Sequence, residues 1–108
     1  MKYEKLVRDL VPQRIREAGG WAIARKLSPN EMRIETLRKL VEESKEALEA
    51  VDDPTNLKEE LADVCEVLDA VLTARGISRR ELRYIRRKRA RKSGTFKTRT
   101  FLVVASDG

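Results

Sequence analysis

Histidine is absent from this chain, and cysteine and aromatic residues are scarce. Without histidine, there can be no histidine acid–base catalysis, no Cys–His or Ser–His nucleophile and no histidine metal ligand. The one cysteine, Cys65, cannot form an intramolecular disulfide, which favours a reducing compartment. Any hydrolytic chemistry in this chain must therefore depend on carboxylates, lysine or arginine, and a metal ion.

Long apolar runs are also lacking, and no stretch is long enough to cross a bilayer. The first residues, MKYEK, lack the apolar centre of a secretory signal. We therefore expect a cytoplasmic protein that does not contact membranes.

What the chain does contain is charge, at 39% of 108 residues, with a net charge of +6. This composition favours amphipathic helices, so we expect a mainly α protein with a single domain over residues 1–108. The charge is uneven, since residues 31–69 are acidic and residues 75–99 strongly basic. A chain of this length buries a limited core, which favours completion by a partner subunit.

Helix boundary signals predict an antiparallel helix pair followed by a third helix. Ser28-Pro29-Asn30-Glu31 is a capping box that should start a helix ending near Ala50. After a tight connection at 51–56, Thr55 or Asn56 can cap a second helix that Gly76 ends. Ser78 to Glu81 repeats the capping pattern and opens a third, basic helix that Ser93-Gly94 ends.

Smaller elements are predicted at both ends of the chain. Pro12 to Ala18 reads as a short helix that Gly19-Gly20 ends. Residues 21–27 alternate in part, and residues 98–105 have a β-rich composition. These two segments would pair as a minor two-stranded β element.

Two carboxylate pairs stand out, Glu43 with Glu46 and Glu60 with Asp63. Each pair is spaced i, i+3, so both members project from one face of a helix. Folding the chain at 51–56 brings Glu46 level with Glu60, and Glu43 level with Asp63. Four carboxylates then converge, and such a cluster normally needs a cation. Oxygen ligands suit Mg²⁺, or Mn²⁺ as a second choice.

The competing interpretation is that these acids are ordinary surface charges. E-x-x-E arises easily in a chain rich in glutamate, and Lys39 and Lys45 can pair with Glu42, Glu43 and Glu49. Against this interpretation, Glu43, Glu60 and Asp63 all lie next to apolar residues of their helices, on the side where the partner helix is expected. The pattern alone leaves both interpretations open.

Three motifs resemble a known family. LVEESKE at 40–46 followed by EELADV at 59–64 resembles the E-x-x-E…E-x-x-D signature of the MazG-like, all-α nucleoside triphosphate pyrophosphatases. YEKLVRDLVP at 3–12 resembles the YNKLVRDKIP opening of a predicted house-cleaning branch. RKSGTF at 91–96 resembles the ERGGF segment of that branch, but Ser93 and Thr95 depart from it.

The resemblance implies a MazG-like helical fold and a Mg²⁺-dependent reaction. The family cleaves the α–β phosphoanhydride of a nucleoside triphosphate, giving a monophosphate and pyrophosphate. Its metal ligands carry over onto Glu43, Glu46, Glu60 and Asp63, with Glu43 and Glu46 also catalytic. Glu46 is our first choice of general base, and Glu42 our second.

The resemblance also implies substrate contacts and an oligomer. Lys5 and Arg8 are our first candidates for binding the polyphosphate, because they lie in the N-terminal motif, and Arg91 and Lys92 come next. A surface ion pair of Lys5 or Arg8 with Glu4 or Asp9 is the alternative for those two. Helical faces in this family commonly pair, so we expect a homodimer or a higher homo-oligomer.

The expected function is removal of noncanonical nucleoside triphosphates, with phosphoribosyl-ATP as an alternative substrate. A different class of function is suggested by the run RRKRARK at 86–92, since basic helices commonly bind nucleic acid. The run encircles its helix and contains no reader motif, so we rank a nucleic-acid-binding module below the enzyme. A helical oligomerisation protein without chemistry is the third interpretation.

Overall fold

The structure, a computed structural model, describes residues 4–107. All regular secondary structure within these residues is helical. The helices are α1 (Val11–Glu17), α2 (Pro29–Glu49), α3 (Pro54–Arg75) and α4 (Arg79–Ser93). The chain divides into two compact units after Ile77, with α1, α2 and α3 in the first and α4 in the second. The mainly α class is confirmed, and the single domain over residues 1–108 stays a prediction.

The start of α2 is held by the predicted capping box. The Ser28 hydroxyl accepts from the Glu31 N–H at 3.2 Å, and the Glu31 carboxylate accepts from the Ser28 N–H at 2.9 Å. Arg25 adds two further bonds to the same carboxylate, at 3.1 and 2.7 Å. Arg25 and then Ser28 lower the pKa of Glu31 to about 2.

The connection between α2 and α3 is shorter than predicted. The Asp53 carboxylate caps α3 by accepting from the Asn56 N–H at 3.1 Å, so the predicted caps at Thr55 and Asn56 are wrong. Aspartate is a strong N-cap, and Pro54 after it has the φ that a first helical residue needs. Gly76, at φ 67°, ends α3 as predicted.

The two long helices are antiparallel. They are joined at one end by the connection at Asp53, and at the other the Arg75 guanidinium donates to the Arg33 carbonyl at 2.8 Å. The face of α2 toward α3 follows the spacing Thr36, Leu40, Glu43, Ala47 and Ala50, all of which are buried or half-buried.

Several of the larger aliphatic side chains of α2 lie outside this face. Ile34, Leu37, Val41 and Leu48 are 53, 40, 59 and 73% exposed. Among the described residues, the buried apolar residues are Ala50, Val71 and Leu72. Small side chains allow two helices to approach closely, and the larger aliphatic row on α2 is left facing outward.

The β element is absent from the described residues, so its prediction is wrong. Residues 21–27 and 98–105 have no strand assignment, and most of their side chains are exposed. A two-stranded ribbon is marginal in water without a sheet or helix to cover one face. Residues 21–27 are held instead by bonds such as that from Arg16 to the Ala22 carbonyl, at 2.9 Å.

The second unit consists of α4 and the segment after it. The Ser78 hydroxyl accepts from the Glu81 N–H at 3.0 Å, and α4 ends at Ser93 before Gly94, as predicted. Leu82 is half-buried, whereas Ile85 is 45% exposed.

The capping box yields a stability prediction. Ser28→Ala removes the acceptor for the Glu31 N–H, and we expect a loss of about 1 kcal/mol in the free energy of unfolding. Ser28→Asp keeps an acceptor and should stay near the unaltered protein. Urea denaturation followed by circular dichroism measures both; equal stability of the two variants would contradict the assigned cap.

Candidate metal centre

Three of the four predicted metal ligands meet between α2 and α3. Glu43 projects from α2, and Glu60 and Asp63 project from one face of α3. One carboxylate oxygen from each lies within 4.8 Å of the other two. An octahedral Mg²⁺ with metal–oxygen distances of about 2.1 Å places its oxygens no more than about 4.2 Å apart. The three oxygens are therefore close to the spacing that one small divalent ion requires.

Two oxygens in this group have no partner. Glu43 is only 7% exposed, and the buried Oε2 atoms of Glu43 and Glu60 accept no hydrogen bond from any described residue. A buried carboxylate oxygen without a donor is costly, because it has lost water and gained nothing in return. The residues present thus fit a cation by their chemistry as well as by their spacing.

The effect of neighbouring charges on Glu43 also fits a cation at this position. Burial raises the pKa of Glu43 most, the adjacent Glu46 carboxylate raises it further, and Asp63 adds to the effect. Lys39, whose Nζ lies 3.5 Å from Glu43 Oε1, acts in the opposite direction. Two like charges 4.8 Å apart repel by about 3 kcal/mol at an effective dielectric constant of about 20. A metal-free carboxyl in this position therefore takes up a proton more readily than an exposed glutamate does.

Nearby cations offset only part of the negative charge. The Arg8 guanidinium lies 2.7 Å from Asp63 Oδ1, and Lys39 is close to Glu43. Lys5 and Lys39 also bind Glu42, at 2.9 and 3.1 Å. The five carboxylates, Glu42, Glu43, Glu46, Glu60 and Asp63, face three cations, Lys5, Arg8 and Lys39, which leaves a formal charge of −2. One divalent ion would balance it.

Glu46 lies outside the three-residue group, although it is near enough to raise the pKa of Glu43. Its assignment as a fourth ligand stays a prediction. The expected pairing of Lys39 with Glu42 and Glu43 is confirmed, so part of the surface-charge interpretation also holds.

Lys5 and Arg8 each form an ion pair with one of the two long helices, and binding of a polyphosphate by either residue stays a prediction. Among the described residues their ion-pair partners include Glu42 and Asp63, on α2 and α3, whereas Glu4 and Asp9 were the expected alternatives. Tyr3, which opens the same motif, lies outside the described residues.

Arg91 and Lys92 lie in the last turn of α4, in the second unit. Their contact with a substrate stays a prediction. Lys39 is the residue that sequence reasoning treated only as a surface charge. Its signal was the spacing of three and four residues before Glu42 and Glu43, which places it on their face of α2.

Comparison of the chain with models of known families, with curated proteins and with solved structures finds no match. Within residues 4–107, no helix combines the length and apolar character that crossing a bilayer requires.

The raised pKa of Glu43 yields a prediction about pH. As the pH falls, the folded protein takes up this proton before the unfolded chain does. The stabilising contribution of Glu43 is therefore present at acidic pH and lost as the pH rises through the raised folded-state pKa. In EDTA at pH 7, Glu43→Gln should raise the melting temperature, because the neutral amide removes a buried carboxylate charge that no donor compensates.

Addition of Mg²⁺ should reverse the difference in melting temperature between the unaltered protein and Glu43→Gln. The metal should raise the melting temperature of the unaltered protein and leave Glu43→Gln nearly unchanged. Glu59→Gln is the matched control, because Glu59 is exposed on α3 and lies outside the group. An equal Mg²⁺ response in the unaltered protein and Glu43→Gln would remove Glu43 from the site.

Proposed function

We propose that this protein is a Mg²⁺-dependent nucleoside triphosphate pyrophosphohydrolase of the MazG-like type. The observation that carries the proposal is the meeting of Glu43, Glu60 and Asp63 between two antiparallel helices, with two buried oxygens lacking any donor. The resemblance of residues 3–12 and 91–96 to family motifs supports the same assignment from outside the helix pair.

The three carboxylates would hold the metal. When bound, Mg²⁺ supplies charge neutralisation on the phosphate oxygens and lowers the pKa of a coordinated water. Mn²⁺ fits the same oxygen donors. Asp63 and Glu60, one turn apart on α3, would fix the metal on one side, and Glu43 would fix it from α2.

The general base is best assigned to Glu46. It is the one member of the two carboxylate pairs outside the close group, which leaves its oxygens available to take a proton from water. Glu42, the second candidate, is less suited to this role. Lys5 and Lys39 both donate to Glu42, and Lys5 first and then Lys39 lower its pKa, which makes it a weaker base.

The polyphosphate would lie on the basic side of the group. Lys5, Arg38 and Lys39 line a cleft of about 160 Å³ that Glu42 also borders. A triphosphate entering this cleft would meet lysine and arginine donors next to the carboxylates that hold the metal. Arg91 and Lys92 are further proposed contacts.

The substrate class proposed is a noncanonical nucleoside triphosphate, because residues 3–12 resemble the house-cleaning branch. Phosphoribosyl-ATP is the alternative. The reaction would yield a nucleoside monophosphate and pyrophosphate in either case.

Pyrophosphate release is the direct test. A panel of canonical, damaged and phosphoribosyl nucleotides should include a substrate that is turned over with Mg²⁺ and not with EDTA. Glu43→Ala and Asp63→Asn should each reduce turnover by about 100-fold, since loss of a residue that only supports a metal ligand already costs about 10–100-fold. Glu59→Gln, outside the group, should retain turnover. Full activity in Glu43→Ala or Asp63→Asn would reject the assigned site.

We also propose a homodimer or a higher homo-oligomer, in which the exposed aliphatic row of α2 is covered by another copy. The row comprises Ile34, Leu37, Val41 and Leu48, which follow a helical spacing and form an apolar band along the helix. Exposure of such a band in a chain with so small a core favours association.

Light scattering at micromolar concentration tests this association. The unaltered protein should have at least twice the mass of one chain, and Leu48→Lys should shift it toward the monomer because a charge would enter the apolar band. Glu49→Lys introduces the same side chain one position away, off the band, and should leave the mass unchanged. A monomeric unaltered protein would refute the proposal.

Nucleic-acid binding is a second candidate function, favoured by one observation. Eleven of the 24 lysine and arginine residues lie after Ile77, with two of the 18 acids. No ion pair of the described residues involves α4 residues 83–92. Binding of duplex DNA that weakens steeply with salt and persists in EDTA, together with no nucleotide turnover, would favour this candidate over the enzyme.

A further inference from the structure

The segment before α1 crosses the acidic group and places a cation on it. Lys5 binds Glu42 on α2 at 2.9 Å, and three residues later Arg8 binds Asp63 on α3 at 2.7 Å. The two contacts differ in one respect. Asp63 belongs to the three-carboxylate group and Glu42 does not.

Arg8 therefore neutralises a carboxylate that a metal would also use. Its Nη2 donates to Asp63 Oδ1, so the guanidinium takes up one acceptor position of this carboxylate and places a positive charge beside the group, where it repels a second cation. The neighbouring acids act on Arg8 as well. The pKa of Arg8 is raised by its bond to Asp63 first, and also by the charges of Asp63, Glu66 and Glu43.

The Arg8–Asp63 pair is built to be exchangeable. The side chain of Arg8 is 59% exposed and that of Asp63 is 35% exposed, so water screens the pair and can replace either partner. Exposed ion pairs contribute little to stability, whereas a divalent ion held by several carboxylates binds more strongly. Glu43 differs from Asp63 in this respect, because the Oε2 atom of Glu43 is buried and has no hydrogen-bond partner among the described residues.

We propose that Arg8 is a displaceable counterion for Asp63. In the metal-free protein it balances part of the carboxylate charge, and a divalent cation displaces it on binding. The guanidinium is then released beside the site, where it binds the terminal phosphates of the substrate. This second half rests on the proposed function, whereas the exchange of Arg8 for a metal does not.

The exchange gives Arg8 two effects of opposite sign. As a competitor for Asp63 it weakens metal binding, and as a phosphate ligand it strengthens binding of the polyphosphate. A residue that merely supports the fold would change both affinities in the same direction. Arg8 is thus a positioning residue for the metal and a binding residue for the substrate.

The test of the first effect uses Mn²⁺ alone, with no nucleotide, and measures free ion by electron paramagnetic resonance. Arg8→Gln should bind Mn²⁺ about three- to tenfold more tightly than the unaltered protein, since loss of about 1 kcal/mol of competition changes affinity by about fivefold. Lys5→Gln removes the same charge from a neighbouring position that contacts Glu42, so it measures the general effect of charge and should change the Mn²⁺ affinity less than Arg8→Gln does. Asp63→Asn in the Arg8→Gln background should abolish the gain.

The test of the second effect adds inorganic triphosphate to the Mn²⁺-loaded protein and measures binding by calorimetry. Arg8→Gln should bind triphosphate several-fold more weakly, despite its tighter hold on the metal. Equal Mn²⁺ affinities of Arg8→Gln and Lys5→Gln would mean that Arg8 acts only through its charge and not through its bond to Asp63. This result would overturn the proposal. Weaker Mn²⁺ binding by Arg8→Gln, or unchanged triphosphate binding, would overturn it too.

The exchange of Arg8 for a metal and the proposed hydrolase activity can be rejected separately. Tighter Mn²⁺ binding by Arg8→Gln in a protein that hydrolyses no nucleotide would leave the exchange intact and reject the proposed hydrolase. Nucleotide turnover with an unchanged Mn²⁺ affinity in Arg8→Gln would do the reverse.

Discussion

Repulsion among carboxylates that share a narrow space between α2 and α3 is the constraint on which the site depends. Glu43 is nearly buried and faces Glu60 and Asp63, with Glu46 adjacent. The packing of α2 against α3, with Ala50, Val71 and Leu72 as its buried apolar residues, holds these carboxylates near one another. A cation between the carboxylates would reduce their repulsion without a change in this packing.

The basic residues around the site divide into different roles by their exposure and partners. Lys39 is held on the face of α2 by two glutamates and is 14% exposed, so it is a fixed part of the charge balance. Arg8 and Lys5 come from a segment outside the helix pair and are more exposed. The proposed binding of a metal and then a polyphosphate would benefit from both kinds of cation.

Much of the helical fold and of the carboxylate group could be predicted from the sequence. The capping boxes, the antiparallel pair and the stops at Gly76 and Gly94 follow from local backbone chemistry, which acts over a few residues. The convergence of Glu43 with Glu60 and Asp63 followed from counting outward from one turn. The predicted strands failed because β composition does not supply a partner or a covering surface, and both are tertiary properties.

The sequence by itself determined the helices, their order and which acids share a helix face, because these depend on spacing and on caps a few residues away. Tertiary structure alone decided which row of α2 faces α3. Thr36, Glu43 and Ala50 are turned inward, and Leu37, Val41 and Leu48 are left at the surface. It alone also brought Arg8 to Asp63, 55 positions away in the chain. Neither result is encoded in local periodicity, because both depend on how closely two helices can approach and on where a segment without regular structure crosses them.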